Sequence, residues 1–383
     1  MHQVYLDHAA TTHVKPAVLE AMLPYLSTHY GNASSVYSLA RQSKQAIEAA
    51  REQIASLISV KPQEIYFTSS GTEADNWAIK GLALANKYKG NHIVTSSVEH
   101  HAVLYSCQFL ETQGFEVTYL PVDEYGLVDP SDLENAITSE TILVSIMYAN
   151  NEVGTIQPIT ELARIARDRG VIFHTDAVQA LGNLNIDLST LNVDALSMSA
   201  HKFYAPKGVG ALYLKSGTLI SNLFHGGSQE RDLRAGTENV AGIVAMAKAL
   251  ELALTDLPDR QARLRELRDE TLRRIRNLIP EVKLNGHPSK RLAGNLNLSF
   301  EDLSGDELLM MLDMHGIAAS SGSACSALSI EASHVLLALG LVSKLAKNSL
   351  RLTFGDENTI KDVDYLLEVL SEIVGKNIRL PAR

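Results

Sequence analysis

The chain has few cysteines and no long apolar run, and both absences restrict what it can be. Two cysteines, Cys107 and Cys325, cannot build a disulfide scaffold or a cysteine-rich zinc site. No uncharged stretch approaches the ~18 residues that span a bilayer, and the N-terminus lacks the basic and apolar regions of a signal peptide. We therefore predict a cytoplasmic protein with no metal site and no membrane partner.

Basic residues are also fewer than acidic ones: 34 lysines and arginines stand against 44 aspartates and glutamates, which gives a formal charge of −10. Such a chain is repelled by nucleic-acid backbones and anionic membranes, so no nucleic-acid partner is expected. Hydrophobic residues make up 45% of the 383 residues, which excludes disorder as the main state. The length corresponds to two or three domains of average size.

Short apolar runs alternate with longer amphipathic stretches over the first two thirds of the chain. Two of these stretches, 73–88 and 160–170, have helical periodicity. Strands separated by helices predict an α/β fold whose mostly parallel sheet is covered by helices. The predicted strands are EIYFTS (64–69), HIVTSS (92–97), TILVSIMYA (141–149), VIFHTDA (171–177), DALSMSA (194–200) and GALYL (210–214).

The pattern changes near Pro258, where a long arginine-rich helical stretch (259–279) begins. A strand-like GNLNLSF and a helix-like DELLMMLDMHG follow it. We predict a large domain over 13–257 and a smaller α+β domain formed by 1–12 and 258–383.

Polar residues follow most of the predicted strands, where packing does not require them. Ligands of parallel α/β sheets bind beyond the carboxyl ends of the strands, so these side chains are expected to meet in one pocket. After the first strand, Gly71 and Thr72 begin a helix, a position suited to an anion. The polar residues after the other strands are Glu99, His100, His101, Asn150, Asn151, Glu152, Asp176, Gln179, Ser199, His201 and Lys202.

The nature of the anion follows from what surrounds it. Neither G-x-x-x-x-G-K-[ST] nor a strand-linked G-x-G-x-x-G is present, which disfavours a nucleotide. Pyridoxal phosphate needs a lysine amine for its aldehyde and an acid for its pyridine nitrogen. Lys202 is the candidate Schiff-base lysine, Asp176 the candidate acid, and His100 the candidate for the ring face or a proton relay. The candidate phosphate ligands are Thr72, Ser199 and His201.

Eight motifs, in order from Tyr5 to SSGSAC, resemble the cysteine desulfurases of the NifS/IscS type, a class V branch of the fold-type I pyridoxal-phosphate enzymes. The resemblance extends to about Arg351. The motifs are YLDHAATT (5–12), SSGTEADN (69–76), EHHAV (99–103), NNEVG (150–154), HTDAVQ (174–179), SAHKFYAPKGVGALY (199–213), RAGTENV (234–240) and SSGSAC (320–325).

The resemblance implies a homodimer and assigns roles to individual residues. It gives Lys202 the Schiff base, Asp176 the pyridine nitrogen, Gln179 the cofactor's phenolic oxygen and His100 the stacking and proton-relay position. It also implies that Thr237 reaches the phosphate of the neighbouring subunit. The implied phosphate cup is Gly71, Thr72, Ser199 and His201.

Substrate binding is implied by two further residues. Asn151, which also belongs to the cofactor site, and Arg351 resemble the pair that holds the substrate carboxylate. A guanidinium suits a carboxylate because its donors form a planar fork.

The two cysteines have different surroundings. Cys325 lies in SSGSACSALS (320–329), a stretch with few apolar anchors that is expected to be a mobile loop. A mobile thiol could reach a substrate's sulfur and carry it outward, so Cys325 is the predicted nucleophile. Cys107 lies in a helix-like segment and is expected to be a buried structural residue.

The resemblance implies conversion of L-cysteine to L-alanine, with the sulfur held as a persulfide on Cys325. A sulfur acceptor or iron–sulfur scaffold protein would receive it, for iron–sulfur cluster assembly or tRNA thiolation. A selenocysteine lyase or another class V aminotransferase-like enzyme is the alternative. A cofactor-binding regulator is disfavoured by the lack of a basic recognition element, and a sulfur-carrier scaffold by the small number of cysteines.

Overall fold

The computed structural model describes residues 3–321 and 332–377, so Cys325 lies outside the described residues. The strands are β1 (Val4–Tyr5), β2 (Ile65–Thr68), β3 (His92–Ser96), β4 (Glu116–Leu120), β5 (Thr141–Ser145), β6 (Ile172–Asp176), β7 (Ala195–Ser199), β8 (Gly210–Leu214), β9 (Lys283–Asn285), β10 (Asn295–Ser299), β11 (Ile317–Ala318) and β12 (Ser349–Thr353). The α-helices are α1 (Pro16–Met22), α2 (Pro24–Ser27), α3 (Ser38–Leu57), α4 (Gly71–Asn76), α5 (Leu82–Asn86), α6 (His101–Glu111), α7 (Pro130–Ala136), α8 (Ile159–Asp168), α9 (Leu188–Leu191), α10 (Val240–Thr255), α11 (Leu257–Leu278), α12 (Gly305–Met314), α13 (His334–Ala338), α14 (Ser343–Lys347) and α15 (Ile360–Asn377). None of the described helices combines the length and the apolar character needed to cross a bilayer.

Seven strands form one sheet in the spatial order β2-β8-β7-β6-β5-β3-β4. The pairs from β7 to β4 are all parallel, whereas β8 runs antiparallel to both of its neighbours. This confirms the predicted α/β fold with a mostly parallel sheet. Because parallel strands end at the same edge, the residues that follow β5, β6 and β7 are brought to one side of the molecule.

The sheet is apolar on both faces, as expected when helices cover both. Successive side chains along a strand point to opposite faces. Phe173 of β6 packs in one buried cluster together with Val144 and Leu196 of the neighbouring strands. The preceding position in two of these strands, Leu143 and Ala195, belongs to a second cluster. Two apolar layers therefore fix the sheet between its helices.

The C-terminal part of the chain forms smaller sheets. One is antiparallel, in the order β12-β10-β9, and the other pairs β1 in parallel with β11. A separate buried cluster joins Leu298 and Leu352 from the antiparallel sheet, Leu267 from α11 and Leu366 from α15. Leu6 belongs to the same cluster, so the N-terminal segment packs against the C-terminal elements.

A test of this packing is Phe173→Ala, at a side chain with no solvent exposure. Removing a fully buried phenylalanine leaves a cavity and is expected to lower the free energy of unfolding by about 3–5 kcal/mol. Urea denaturation monitored by circular dichroism measures this change. The matched control is Phe109→Ala, because Phe109 is 45% exposed, and an equal loss in both variants would contradict the assignment of Phe173 to the core.

Candidate active site

A cavity of about 370 Å³ lies at the carboxyl ends of the parallel strands. Ten of the residues predicted from the sequence line it: Gly71, Thr72, His100, Asn151, Asp176, Gln179, Ser199, His201, Lys202 and Arg351. Further lining residues to which the sequence gave no role are Asp75, Glu99, His101, Glu152 and His334. The structure thus brings these strand ends together, and the role of each residue stays a prediction.

One end of the cavity is formed by the start of α4. Ser70 caps this helix, since its hydroxyl accepts a hydrogen bond from the Glu73 N–H at 3.1 Å. A Cβ at Gly71 would lie 2.6 Å from Val178 Cγ2, so only glycine allows so close an approach to the loop after β6. The first N–H groups of a helix have no partner within it, so this end of the cavity is suited to an anion.

Lys202 stands in a short helical turn, Ala200–Lys202, directly after β7. Its Nζ donates hydrogen bonds to the carbonyl oxygens of Ala9 at 2.6 Å and Ala10 at 2.8 Å. Gln179 Nε2 donates to the same Ala9 oxygen at 2.9 Å. The N-terminal segment, which pairs with the smaller sheets, therefore orients the amine at the cavity wall.

Asp176 ends β6 and is buried. One of its carboxylate oxygens accepts a hydrogen bond from the Val178 N–H at 2.9 Å. Burial raises the pKa of Asp176 to about 6, while the Val178 N–H and the charge of Lys202 act in the opposite direction. Lys202 therefore favours the ionised form of this acid, the form that could pair with a protonated pyridine.

Two further carboxyl groups lie near Asp176, and sequence reasoning gave neither a role. Burial raises the pKa of Glu99 to about 8. Burial also raises the pKa of Asp75 well above its usual range, and the charge of Asp176 raises it in the same direction. Asp75 Oδ1 and Glu99 Oε2 are buried and have no hydrogen-bond partner within residues 3–321 and 332–377. Asp75 lies in the motif SSGTEADN and Glu99 in EHHAV, and membership of these motifs was the sequence signal that could have identified them as site residues.

His100 precedes α6 and caps it. Its Nδ1 accepts a hydrogen bond from the Ala102 N–H at 3.1 Å, which places the proton of the neutral ring on Nε2. Burial, with smaller contributions from Lys202, His101 and His334, lowers the pKa of His100 to about 4. The imidazole is therefore neutral near pH 7 and keeps Nε2–H as its donor, because Nδ1 already accepts from the Ala102 N–H.

Arg351 reaches the cavity from β12 of the antiparallel sheet. Its Nη1 donates to the Asn151 carbonyl oxygen at 3.0 Å and its Nη2 to Asp7 Oδ1 at 2.7 Å. Its Nε is buried and has no hydrogen-bond partner among the described residues. Asn151 thus contacts Arg351 through its backbone, and Asp7 is a contact that sequence reasoning missed.

Two predicted residues are not among those that line the cavity. Thr237 is exposed in the connection between Asp232 and α10. The other, Cys325, lies outside the described residues. Cys107 is buried in α6, as expected of a structural cysteine, and burial raises the pKa of its thiol to about 12.

Comparisons with family models, curated sequences and solved structures identify relatives that agree with one another. A family model described as "Aminotransferase class-V" matches residues 4–366. The chain is 55% identical over 374 residues to "Cysteine desulfurase IscS" of Clostridium botulinum, a match that covers 97% of this chain and 94% of that protein.

Similar solved structures include one titled "NIFS-LIKE PROTEIN", with a TM-score of 0.93 and 38% identity, which covers 98% of this chain and 100% of that chain. Another is titled "SspA in complex with cysteine", with a TM-score of 0.81 and 37% identity, and covers 92% of this chain and 99% of that one.

The buried carboxyl of Glu99 predicts a pH dependence of stability in the ligand-free protein. Its pKa is raised from 4.5 to about 8 on folding, so the folded state keeps a proton that the unfolded state releases. The free energy of unfolding is therefore expected to fall as pH rises through this interval. Glu99→Gln removes this contribution, and urea denaturation across the interval should give a shallower slope.

The matched control is Glu301→Gln, at an exposed carboxyl, which should leave the slope of the parent protein unchanged. An unaltered slope in Glu99→Gln would contradict the assignment of a protonated carboxyl to this position.

Proposed function

We propose a function from one premise: this chain belongs to the class-V aminotransferase family and, within it, to the cysteine desulfurases of the NifS and IscS type. On that premise the protein is a pyridoxal-phosphate-dependent cysteine desulfurase, and L-cysteine is its substrate. The sulfur passes to Cys325 as a persulfide and then to an acceptor, and L-alanine is released.

The observation that carries the proposal is the set of side chains around one cavity. The cavity is lined by the start of α4, which is suited to an anion, by the Lys202 amine and by the buried carboxyl of Asp176. The charge of this amine lowers the pKa of the carboxyl. The close packing at Gly71 forms one end of the cavity. These features fit the phosphate, the aldehyde and the pyridine nitrogen of pyridoxal phosphate.

In this proposal each part of the cofactor has its own residues. Lys202 would bond its aldehyde carbon, Asp176 would hold its pyridine nitrogen, His100 would lie over the ring and Gln179 would bind the phenolic oxygen. When bound, the cofactor supplies an electron sink that makes the α-proton of an amino acid removable. The phosphate would be held by Gly71, Thr72, Ser199 and His201, and by Thr237 of a second subunit.

Arg351 and Asn151 bind the substrate carboxylate in this proposal. The buried Arg351 Nε without a partner among the described residues offers a donor that a carboxylate oxygen could accept from. The Asp7 carboxylate already holds Nη2 at 2.7 Å, which fixes the plane of the guanidinium. Asn151 would contribute its side chain, since its carbonyl oxygen already accepts from Nη1.

Proton movement falls to Lys202 and His100. The Lys202 amine would take the α-proton of the substrate. His100 is neutral near pH 7, because burial and the neighbouring Lys202 lower its pKa, and its Nε2–H would be the group that relays a proton in this proposal.

Cys325 completes the reaction. Its thiolate forms a bond to the substrate's sulfur while the bond between that sulfur and Cβ breaks, and Cβ gains a proton. The atoms balance as L-cysteine plus a thiol giving L-alanine plus a persulfide. This assignment rests on the SSGSAC motif, because Cys325 lies outside the described residues.

The protein is proposed to be a homodimer. Six large apolar side chains are exposed to solvent in one stretch of the single chain. Exposed apolar surface is unfavourable in water, and a second subunit that packs on these side chains would bury it. They are Leu19, Leu23, Leu26, Tyr30, Val36 and Tyr37.

We further propose domains over 13–257 and over 1–12 with 258–383, supported by the separate buried cluster of the C-terminal elements. The proposed location is the cytoplasm, supported by the low cysteine content. The acceptor would be an iron–sulfur scaffold protein or an enzyme of tRNA thiolation.

The role of Lys202 can be tested with Lys202→Ala. Because the amine that bonds the aldehyde is removed, the variant is expected to lose the covalent attachment of the cofactor while binding it noncovalently. Borohydride reduction followed by intact-mass spectrometry detects the attachment. Lys207→Ala, at an exposed lysine five residues on, is the control that should keep it, and a reduced adduct in Lys202→Ala would refute the assignment.

The role of Cys325 can be tested with Cys325→Ala. The variant is expected to keep the visible absorbance of the bound cofactor and to lose alanine formation from L-cysteine by about 10³-fold or more, because the sulfur has no acceptor. Cys107→Ala, at the buried cysteine of α6, is the matched control and should retain alanine formation. An enzyme of the aminotransferase type would instead tolerate Cys325→Ala and convert keto acids.

A further inference from the structure

The connection from Leu233 to Asn239 carries Thr237, yet it does not contribute to the cavity of its own chain. We call it the Thr237 loop. Thr237 is exposed, whereas Glu230, three residues before the loop, is buried. The contacts of Glu230, Arg234 and Asn239 fix the position of this loop.

Before the loop, three consecutive residues have left-handed backbone conformations. The φ angles of Glu230, Arg231 and Asp232 are 46°, 58° and 66°. Such angles are unfavourable for residues other than glycine, and they persist where the surroundings leave no alternative. The chain therefore turns sharply just before the loop begins.

Glu230 holds this turn in place. Its two carboxylate oxygens each accept a hydrogen bond of 2.8 Å from the guanidinium of Arg51, and one also accepts from the Phe67 N–H at 2.8 Å. Both Arg51 and Glu230 are only 3% exposed. A bidentate pair at this burial ties the turn to α3 and β2.

Arg234 makes the second attachment. Its Nε donates to one oxygen of Glu73 at 2.8 Å and its Nη2 to the other at 3.0 Å. Glu73 is the third residue of α4 and also accepts from the Ser69 N–H at 2.8 Å. The loop is thus fastened to the helix whose start faces the cavity.

At the end of the loop, Asn239 caps α10 by accepting a hydrogen bond from the Gly242 N–H at 3.0 Å. Thr237 therefore lies between two fixed points, Arg234 and the start of α10. A short segment held at both ends has few conformations, so its exposed threonine is presented in one direction rather than ordered when a ligand arrives.

We propose that Arg234 is a positioning residue: its paired hydrogen bonds to Glu73 orient the Thr237 loop so that Thr237 meets the phosphate bound by a second subunit. This inference rests on the proposed function, which supplies the dimer and the cross-subunit contact. Arg234 is not among the residues that line the cavity, so it would act only through Thr237.

The test compares pyridoxal-phosphate dissociation constants of the dimeric protein for Arg234→Met, Thr237→Ala and the double variant. Each single variant is expected to bind about tenfold more weakly, the loss expected for one hydrogen bond to a charged group. Because both changes remove the same contact, the double variant is expected to match the single ones. Losses that multiply in the double variant would overturn the proposal.

A mixed dimer separates action across the interface from action within the chain. One subunit carries Arg234→Met and keeps Lys202, and the other carries Lys202→Ala and keeps Arg234. The site with Lys202, recognised by its visible absorbance, is completed by an intact loop, so its affinity should equal that of the parent protein. Weakened binding at this site would mean that Arg234 acts on its own α4, which would overturn the proposal.

Two controls complete the experiment. Arg169→Met removes an exposed ion pair with Glu134 and should leave cofactor affinity unchanged. Arg234→Lys keeps the charge with fewer donors and should fall between Arg234→Met and the parent, so it carries the test if Arg234→Met does not fold. A normal affinity in Thr237→Ala would refute the cross-subunit contact itself, whereas a loss in Thr237→Ala and none in the Arg234 variants would refute only the positioning role.

Discussion

Buried charge at the carboxyl edge of the parallel sheet is the constraint on which the site depends. Asp75, Glu99 and Asp176 are all removed from water there, and burial raises the pKa of each. Three ionised carboxylates could not be buried together at acceptable cost. The charge of Lys202 lowers the pKa of Asp176, whereas the charge of Asp176 adds to burial in raising the pKa of Asp75 and of Glu99. The amine therefore favours ionisation of Asp176 over ionisation of its two neighbours.

A second dependence links the two parts of the chain. Arg351 belongs to the antiparallel sheet of the C-terminal elements, yet its guanidinium contacts the Asn151 carbonyl after β5 and the Asp7 carboxylate. Ala9, from the same N-terminal segment as Asp7, accepts from Lys202. The cavity therefore requires the larger sheet, the smaller sheets and the N-terminal segment to be docked, and it would not exist in any one of them alone.

Much of the main sheet could be predicted from the sequence, because its inner strands are continuous apolar runs bounded by polar residues. β4 was missed, since Glu116 is exposed at its start and three of its residues are only half-buried at the sheet edge. Asp75 and Glu99 lay inside quoted motifs but received no role, because a carboxyl on a helix or loop is usually solvated. Burial, which changes their chemistry, depends on what packs over them.

The sequence by itself determined most strands of the main sheet, the polar residues that follow them and the motifs that identify the family, since these are properties of local pattern. Tertiary structure alone decided that Arg351 lies against Asn151 and Asp7, that Arg234 meets Glu73, and which carboxyl stays protonated. Such contacts join residues far apart in the chain, and pKa values depend on distance and dielectric surroundings, neither of which is written in local sequence.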